Sequence, residues 1–167
     1  MFIEKDLIMY KKILVPIDGS PTSRLGLGEA IKLAAVMGAQ LRLLHFVDPF
    51  AYVGGFESPA VFITDLLPLL REGGQTILKE GQALAASKGV QAETVLVDDG
   101  VGRLSDLVVS QALGWPADLI VIGTHGRRGV RRVFLGSDAE QILRVAPVPV
   151  LLVRGTEDAE AGSKSAA

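Results

Sequence analysis

Residues 118–140 read DLIVIGTHGRRGVRRVFLGSDAE. The run from Asp118 to Gly123 is apolar on both faces, short, and rich in Ile and Val. Such a run suits a strand of a parallel sheet covered on both sides better than an exposed strand, which would alternate. A Gly- and Arg-rich loop follows. Gly136-Ser137 then opens a short amphipathic segment, which predicts a helix over Ser137 to Val145. Gly123, Gly126 and Gly136-Ser137 give the spacing G-x2-G-x9-G-S. Glycines at both ends of a strand-to-helix loop let backbone amides approach an anion, and a helix N-terminus favours phosphate. A solvated turn with glycines at its ends is the plainer alternative.

Outward from this unit the same alternation recurs. Lys12 to Ile17 (KILVPI) reads as a strand, with Ser20 as N-cap and Pro21 at the first position of a helix that runs to Val36 or Met37. Gly38 fits that helix's C′ position, and Gln40 to Val47 is a second strand. After an irregular Gly- and Pro-containing stretch, Asp48 to Pro59, a helical segment spans Val61 to Ser87, with kinks expected at Pro68 and at Gly73-Gly74. Gln91 to Val97 is a third strand, Val101 to Leu113 a helix, and Val150 to Val153 a final strand. Alternating apolar strands and helices define one α/β domain, a single open, mostly parallel five-stranded sheet with helices on both faces. Residues 1–8 read as an N-terminal extension, 9–154 as the domain, and 155–167 as a polar, disordered tail.

Composition narrows the function classes. The chain has 167 residues, 49% hydrophobic and 22% charged, and a mean hydropathy of +0.37, which excludes a disordered chain. The net charge of −2 argues against bulk attraction to nucleic acid or anionic membrane. The absence of cysteine excludes disulfide scaffolds, thiolate zinc sites, iron–sulfur clusters and Cys nucleophiles, and two histidines do not build a multi-His metal site. Apolar runs fall far short of the ~18 residues that span a bilayer. With no targeting signal, the expected compartment is the cytoplasm.

In an open α/β sheet, ligands bind beyond the carboxyl ends of the strands, beside a topological switch point. Three loops there carry chemistry-bearing residues. Asp18 follows the first strand, where a carboxylate can accept hydrogen bonds from a sugar hydroxyl or a base amine; a turn-forming Asp-Gly before a helix cap explains it as well. Asp98-Asp99-Gly100 follows the third strand as a metal candidate, and a turn accounts for it. In the glycine loop, Arg127, Arg128, Arg131 and Arg132 crowd into six residues without interleaved aromatics, so no stacking platform for single strands is expected. Gly26-Leu27-Gly28 is not a dinucleotide fingerprint, because position 31 is Ile and the pair lies inside a helix; packing on the sheet explains it. Neither G-x4-G-K-[ST] nor G-x-S-x-G occurs. His45 lies in a strand and His125 in the glycine loop, with no Ser/Asp partner evident.

KKILVPIDGS at 11–20, DLIVIGTHG at 118–126, Gly136-Ser137-x-Ala-Glu and the ending PVPVLLV resemble the universal stress protein family over residues 9–154. The glycine spacing is similar to that family's ATP-binding signature. The resemblance implies strand order 3-2-1-4-5. It implies that Pro16, Ile17 and Asp18 line adenosine together with Phe46 and Val47. It assigns ribose and phosphates to Ile122, Gly123, His125, Gly126, Gly136, Ser137, Asp138 and Ala139. From the residues alone, Arg127 in the Arg-rich loop is a candidate to neutralise phosphate, with a solvated basic loop as the alternative. Asp138 and Ala139 depart from the Val and small or hydroxyl residue often found there, and an acid beside a triphosphate repels it unless it turns away or holds Mg²⁺.

The resulting expectation is an ATP-binding stress-response sensor or regulator, taking ATP, or ADP or AMP, with Mg²⁺. It would dimerise with itself through Val148 to Val153 and use neither nucleic acid nor membrane as partner. Rival readings are a family member that works through protein contacts without nucleotide, and a slow ATPase. A phosphoacceptor receiver domain fails because the first strand lacks an acidic pair and Arg154, not Lys, follows the last strand.

Overall fold

β-Branched and leucine-rich runs build the sheet, and Ser, Pro and Gly punctuate it. The computed structural model describes residues 10–48, 66–98, 102–124 and 136–155. The strands are β1 (Lys12–Pro16), β2 (Gln40–Phe46), β3 (Ala92–Val97), β4 (Leu119–Gly123) and β5 (Val150–Val153). Between them lie α1 (Pro21–Met37), α2 (Leu67–Ser87), α3 (Leu104–Gly114) and α4 (Ser137–Val145). Every pairing is parallel and the order is β3-β2-β1-β4-β5, as the family resemblance implied. The chain builds outward from β1 to β2 and β3, then returns to β1's other side to lay down β4 and β5. The switch point therefore lies between β1 and β4.

Two cores flank the sheet. Ile13, Val15, Leu41, Leu43 and Val121 face α1 through Leu27, Ala30, Ile31 and Ala34, and α2 through Leu78 and Ala85. Leu14, Leu44, Ile120 and Ile122 face α3 through Val108 and Ala112, and α4 through Ala139 and Ile142. Burial on both faces explains why β4, and β1 after Lys12, are continuously apolar. Among the described residues no helix is long and apolar enough to cross a membrane.

Helix ends follow local chemistry. Ser20 is the N-cap of α1, its Oγ accepting from the Ser23 N–H at 3.2 Å, and Pro21 opens the helix. Gly38 closes it at φ 66°, a left-handed conformation that glycine adopts without a Cβ clash. One expectation is corrected. α3 begins at Leu104, not Val101, because Gly102 sits at φ 110° and Arg103 is extended, so the helix cannot start before them. α2 runs unbroken through Gly73-Gly74, and Pro68 stands in its first turn, where its missing N–H costs nothing. Gly74 and Gly81 serve packing instead. A Cβ on Gly74 would lie 2.6 Å from His45 Cδ2, and one on Gly81 would lie 3.0 Å from Leu43 Cδ1. The expected extension at 1–8, the stretch from Pro49 to Pro59, residues 61–65 of the expected helix, Asp99-Gly100 and the tail beyond Gly155 lie outside the described residues.

Candidate functional site

The β1–β4 ladder stops early. Its register pairs only Ile13 with Leu119 and Leu14 with Ile120, whereas β1 and β2 stay paired from Lys12–Gln40 to Pro16–Leu44. β1 and β4 therefore part before their carboxyl ends, and the first turn of α1 enters the gap. A Cβ on Gly123 would sit 2.7 Å from the Thr22 carbonyl oxygen and 3.1 Å from the Ser23 nitrogen; one on Gly26 would sit 3.2 Å from the Gly123 nitrogen. Gly123 is thus a glycine because helix α1 lies against it, a reason beyond the anion approach expected from its spacing.

On one side of the gap stands the β1–α1 turn, which is closed by its own groups. The Ser20 N–H donates to Asp18 Oδ1 at 2.9 Å, and the Asp18 N–H donates to Ser23 Oγ at 3.1 Å. The Arg24 N–H reaches the Ser20 carbonyl at 3.0 Å, and Gly19 makes the turn at φ 80°. Asp18 therefore does form the expected turn, and it is half-buried there. Just upstream, Ile17 is fixed from both ends by β2. Its N–H donates to the Leu44 carbonyl at 2.8 Å, and its carbonyl accepts from His45 Nδ1, also at 2.8 Å.

On the other side, the Thr124 N–H donates to the Val153 carbonyl at 2.9 Å, and the Gly136 N–H donates to the Thr124 carbonyl at 2.8 Å. The Thr124 and Gly136 ends of the glycine loop are thus joined. Gly136 is the N-cap of α4 in an extended conformation, and no side chain caps that helix. Its first N–H groups carry the partial positive charge of the helix end. Asp138 and Glu140 lie in the same first turn and offset it; Ser137 and Asp138 are exposed, while Ala139 is buried.

Pro16, Ile17, Val47 and Ile122 are buried, and Phe46 is half-buried. The side chains of Ile17 and Ile122 belong to the two cores, so these positions shape the floor of the gap more than they reach into it. His125, Gly126 and Arg127 lie outside the described residues, as do Arg128, Arg131 and Arg132. Among the described residues no group of three or more His, Asp or Glu side chains is placed to hold a metal. Sequence reasoning missed Ser23, His45 and Thr124. Of the buried polar side chains described, all but Ser105 (Ser20, Thr22, Ser23, His45 and Thr124) gather at this end of the sheet. The Ser20-x-x-Ser23 spacing, a relative of the capping box, was the legible signal for the first of them.

Parallel strands in the order β3-β2-β1-β4-β5, with helices on both faces and a switch-point gap between β1 and β4, define a doubly wound α/β protein. Residues 9–154 match the family model described as "Universal stress protein family". Universal stress protein MJ0531 of Methanocaldococcus jannaschii is 37% identical over 147 residues, spanning 87% of this chain and 83% of its own. A universal stress protein family structure from Burkholderia pseudomallei is 33% identical, with a TM-score of 0.69, covering 87% of this chain and 96% of that one. A universal stress protein structure in complex with cAMP is 26% identical, with a TM-score of 0.62, covering 87% and 98%. The chain belongs to the universal stress protein family.

Proposed function

We propose that this protein is an adenine-nucleotide-binding regulatory protein that takes ATP, ADP or AMP in the gap between β1 and β4. The observation that carries the reading is the pairing of the Asp18 turn on one lip with the joined Thr124–Gly136 ends and uncapped α4 on the other. A carboxylate beside a buried floor suits ribose or base donors, and a helix N-terminus suits phosphate. The relative in complex with cAMP supports a ligand of this class. Pro16, Ile17, Phe46, Val47 and Ile122 form the floor under the nucleoside. Gly123, Gly136, Ser137, Asp138 and Ala139 border the phosphates, where the loop residues His125, Gly126 and Arg127 join them.

Mg²⁺ enters this reading as the counter-ion of the phosphates, with Asp138 as the protein carboxylate beside them. The first-turn acids Asp138 and Glu140 raise the cost of a triphosphate without metal, so ADP and AMP compete well with metal-free ATP. Mass spectrometry of nucleotide released from protein as purified, followed by calorimetric titration with ATP, ADP and AMP, tests the assignment. Absence of binding by all three, in folded protein with and without Mg²⁺, would sink it.

Hydrolysis is slow or absent in this reading. Attack on a γ-phosphate needs an oriented water as well as charge neutralisation. The Asp18 carboxylate is committed to its turn, and Asp138 is an exposed first-turn acid. Purified protein is expected to turn over well below ~1 per second, the lower end of ordinary enzyme rates. Faster release of phosphate, abolished by Asp138→Asn or His125→Ala, would make it an ATPase.

A further inference from the structure

His45 is the one histidine among the described residues, and it is only 4% exposed. It alternates with Leu41 and Leu43 on the α1/α2 side of β2, at the carboxyl end of the strand. Its Nδ1 lies 2.8 Å from the Ile17 carbonyl oxygen. A carbonyl only accepts, so the proton of this bond is on Nδ1. Behind the ring stands Gly74 of α2. A Cβ there would lie 2.6 Å from His45 Cδ2, 3.1 Å from Nε2 and 2.8 Å from Leu96 Cδ1. Glycine at 74 is the residue that leaves room for an imidazole at this place.

The residue that His45 holds is the last one before the Asp18 turn. Ile17 receives two hydrogen bonds' worth of restraint from β2, one on its nitrogen from Leu44 and one on its oxygen from His45. The following groups restrain one another: Asp18 to Ser20 and Ser23, and Ser20 to Ser23 and Arg24. That local set fixes the turn's shape. Its position relative to the sheet depends on Ile17 as well as on the contact of α1 with β4, because β1 ends at Pro16 and a proline has no N–H to give the ladder. A backbone-to-backbone bond would serve only the nitrogen. On the carbonyl, the contact at 2.8 Å is the His45 imidazole.

We infer that His45 is a positioning residue for the candidate site: through Nδ1 and the Ile17 carbonyl it holds the Asp18 turn in the geometry that receives nucleotide, and Gly74 leaves the room in which the ring meets that carbonyl. The inference rests on the reading of the gap as an adenine-nucleotide site. A preformed lip spares the ligand the cost of ordering it, which is affinity gained without a new contact.

Three substitutions separate this role from simple core packing. His45→Asn keeps a donor at the position of Nδ1. His45→Gln moves the amide to the position of Nε2. His45→Leu fills the space without a donor. Two quantities are measured on each: affinity for AMP and ATP by calorimetry, and hydrogen exchange at the Asp18 and Ser20 amides. Urea denaturation reports global stability alongside.

His45→Leu and His45→Gln are expected to bind nucleotide up to about tenfold more weakly, the scale of one neutral hydrogen bond. They are also expected to exchange the Asp18 and Ser20 amides faster. His45→Asn is expected to stay near wild type in both, whatever its stability. Gly74→Ala, with His45 intact, is expected to behave like His45→Leu. Affinity and exchange that track global stability across the series, with no rescue by Asn, would overturn the inference. If wild-type protein binds no adenine nucleotide, the functional reading fails, and the inference for the site fails with it. The exchange data then still report whether His45 holds the turn. Normal binding and unchanged amide protection in a folded His45→Leu would refute the positioning role while leaving the nucleotide site intact.

Discussion

A methyl group added at Gly123 would meet the Thr22 carbonyl at 2.7 Å, one at Gly26 would meet the Gly123 nitrogen at 3.2 Å, and one at Gly28 would meet nothing within 4 Å. These three glycines therefore predict a graded series. Gly123→Ala forces α1 away from β4 and is expected to lower stability by about 1–3 kcal/mol, as overpacking does. Gly28→Ala adds helix propensity in open space and is expected to raise it by about 0.5–1 kcal/mol. Gly26→Ala falls between. Urea midpoints at constant slope check the order; a Gly123→Ala protein as stable as wild type would remove the close helix–strand approach. The sequence showed Gly123 as a strand-end glycine and Gly26-Leu27-Gly28 as small residues that pack on the sheet. It did not show that Gly26 and Gly123 pack against each other, because that contact joins residues 97 positions apart in the chain. His45 was legible as a strand residue and no more: alternation places it on the inner side of β2, but only the fold shows which carbonyl it meets.

At the scale of elements, the turn that joins β1 to α1 does two jobs with one carboxylate. Asp18 Oδ1 accepts from the Ser20 N–H, and Ser20 in turn caps α1. Ser20→Ala is expected to cost about 1 kcal/mol of stability through the lost cap. Asp18→Ala loses the turn bond as well, but its larger effect is expected on binding. ATP, ADP and AMP should weaken alike, by roughly ten- to a hundredfold, if the carboxylate meets the nucleoside. Calorimetry with the three nucleotides checks this; an effect confined to ATP would move Asp18 to the phosphate or its metal. This turn and the strands were readable within about a residue because their signals are local: apolar runs, a Ser-Pro helix start, Gly38 at a C′ position. The start of α3 was misplaced because only the backbone shows Gly102 at φ 110°. Gly74 was legible only as a helix-weakening glycine and Gly81 not at all; tertiary contact with His45, Leu96 and Leu43 makes them seats for neighbouring side chains.

The whole molecule has two sheet edges of unlike chemistry. β3 carries Glu93 and Thr94, both exposed, and Glu93 pairs with Arg42 of the neighbouring strand at 3.0 Å. Charge on an edge discourages further strands. β5 reads Val-Leu-Leu-Val with no charge, and Leu151 is 37% exposed. The helix that leads into it, α4, leaves Leu143 and Val145 about half exposed, at 47% and 49%. An uncharged apolar edge is a liability in a lone subunit, and a two-fold axis beside it would let the same strand cover its own copy. We therefore expect a homodimer built on Val148 to Val153. Such a dimer would also brace the site, because the Val153 carbonyl accepts from the Thr124 N–H at the root of the glycine loop. Val150→Lys places a charge on this edge and is expected to give a monomer in sedimentation velocity, at concentrations where wild type is dimeric. Through the Val153–Thr124 bond, the same variant is expected to bind nucleotide more weakly. Glu93→Lys on the opposite edge should leave the assembly unchanged. A wild-type protein that stays monomeric at high concentration, or a Val150→Lys protein that remains a dimer, would exclude β5 as the joint.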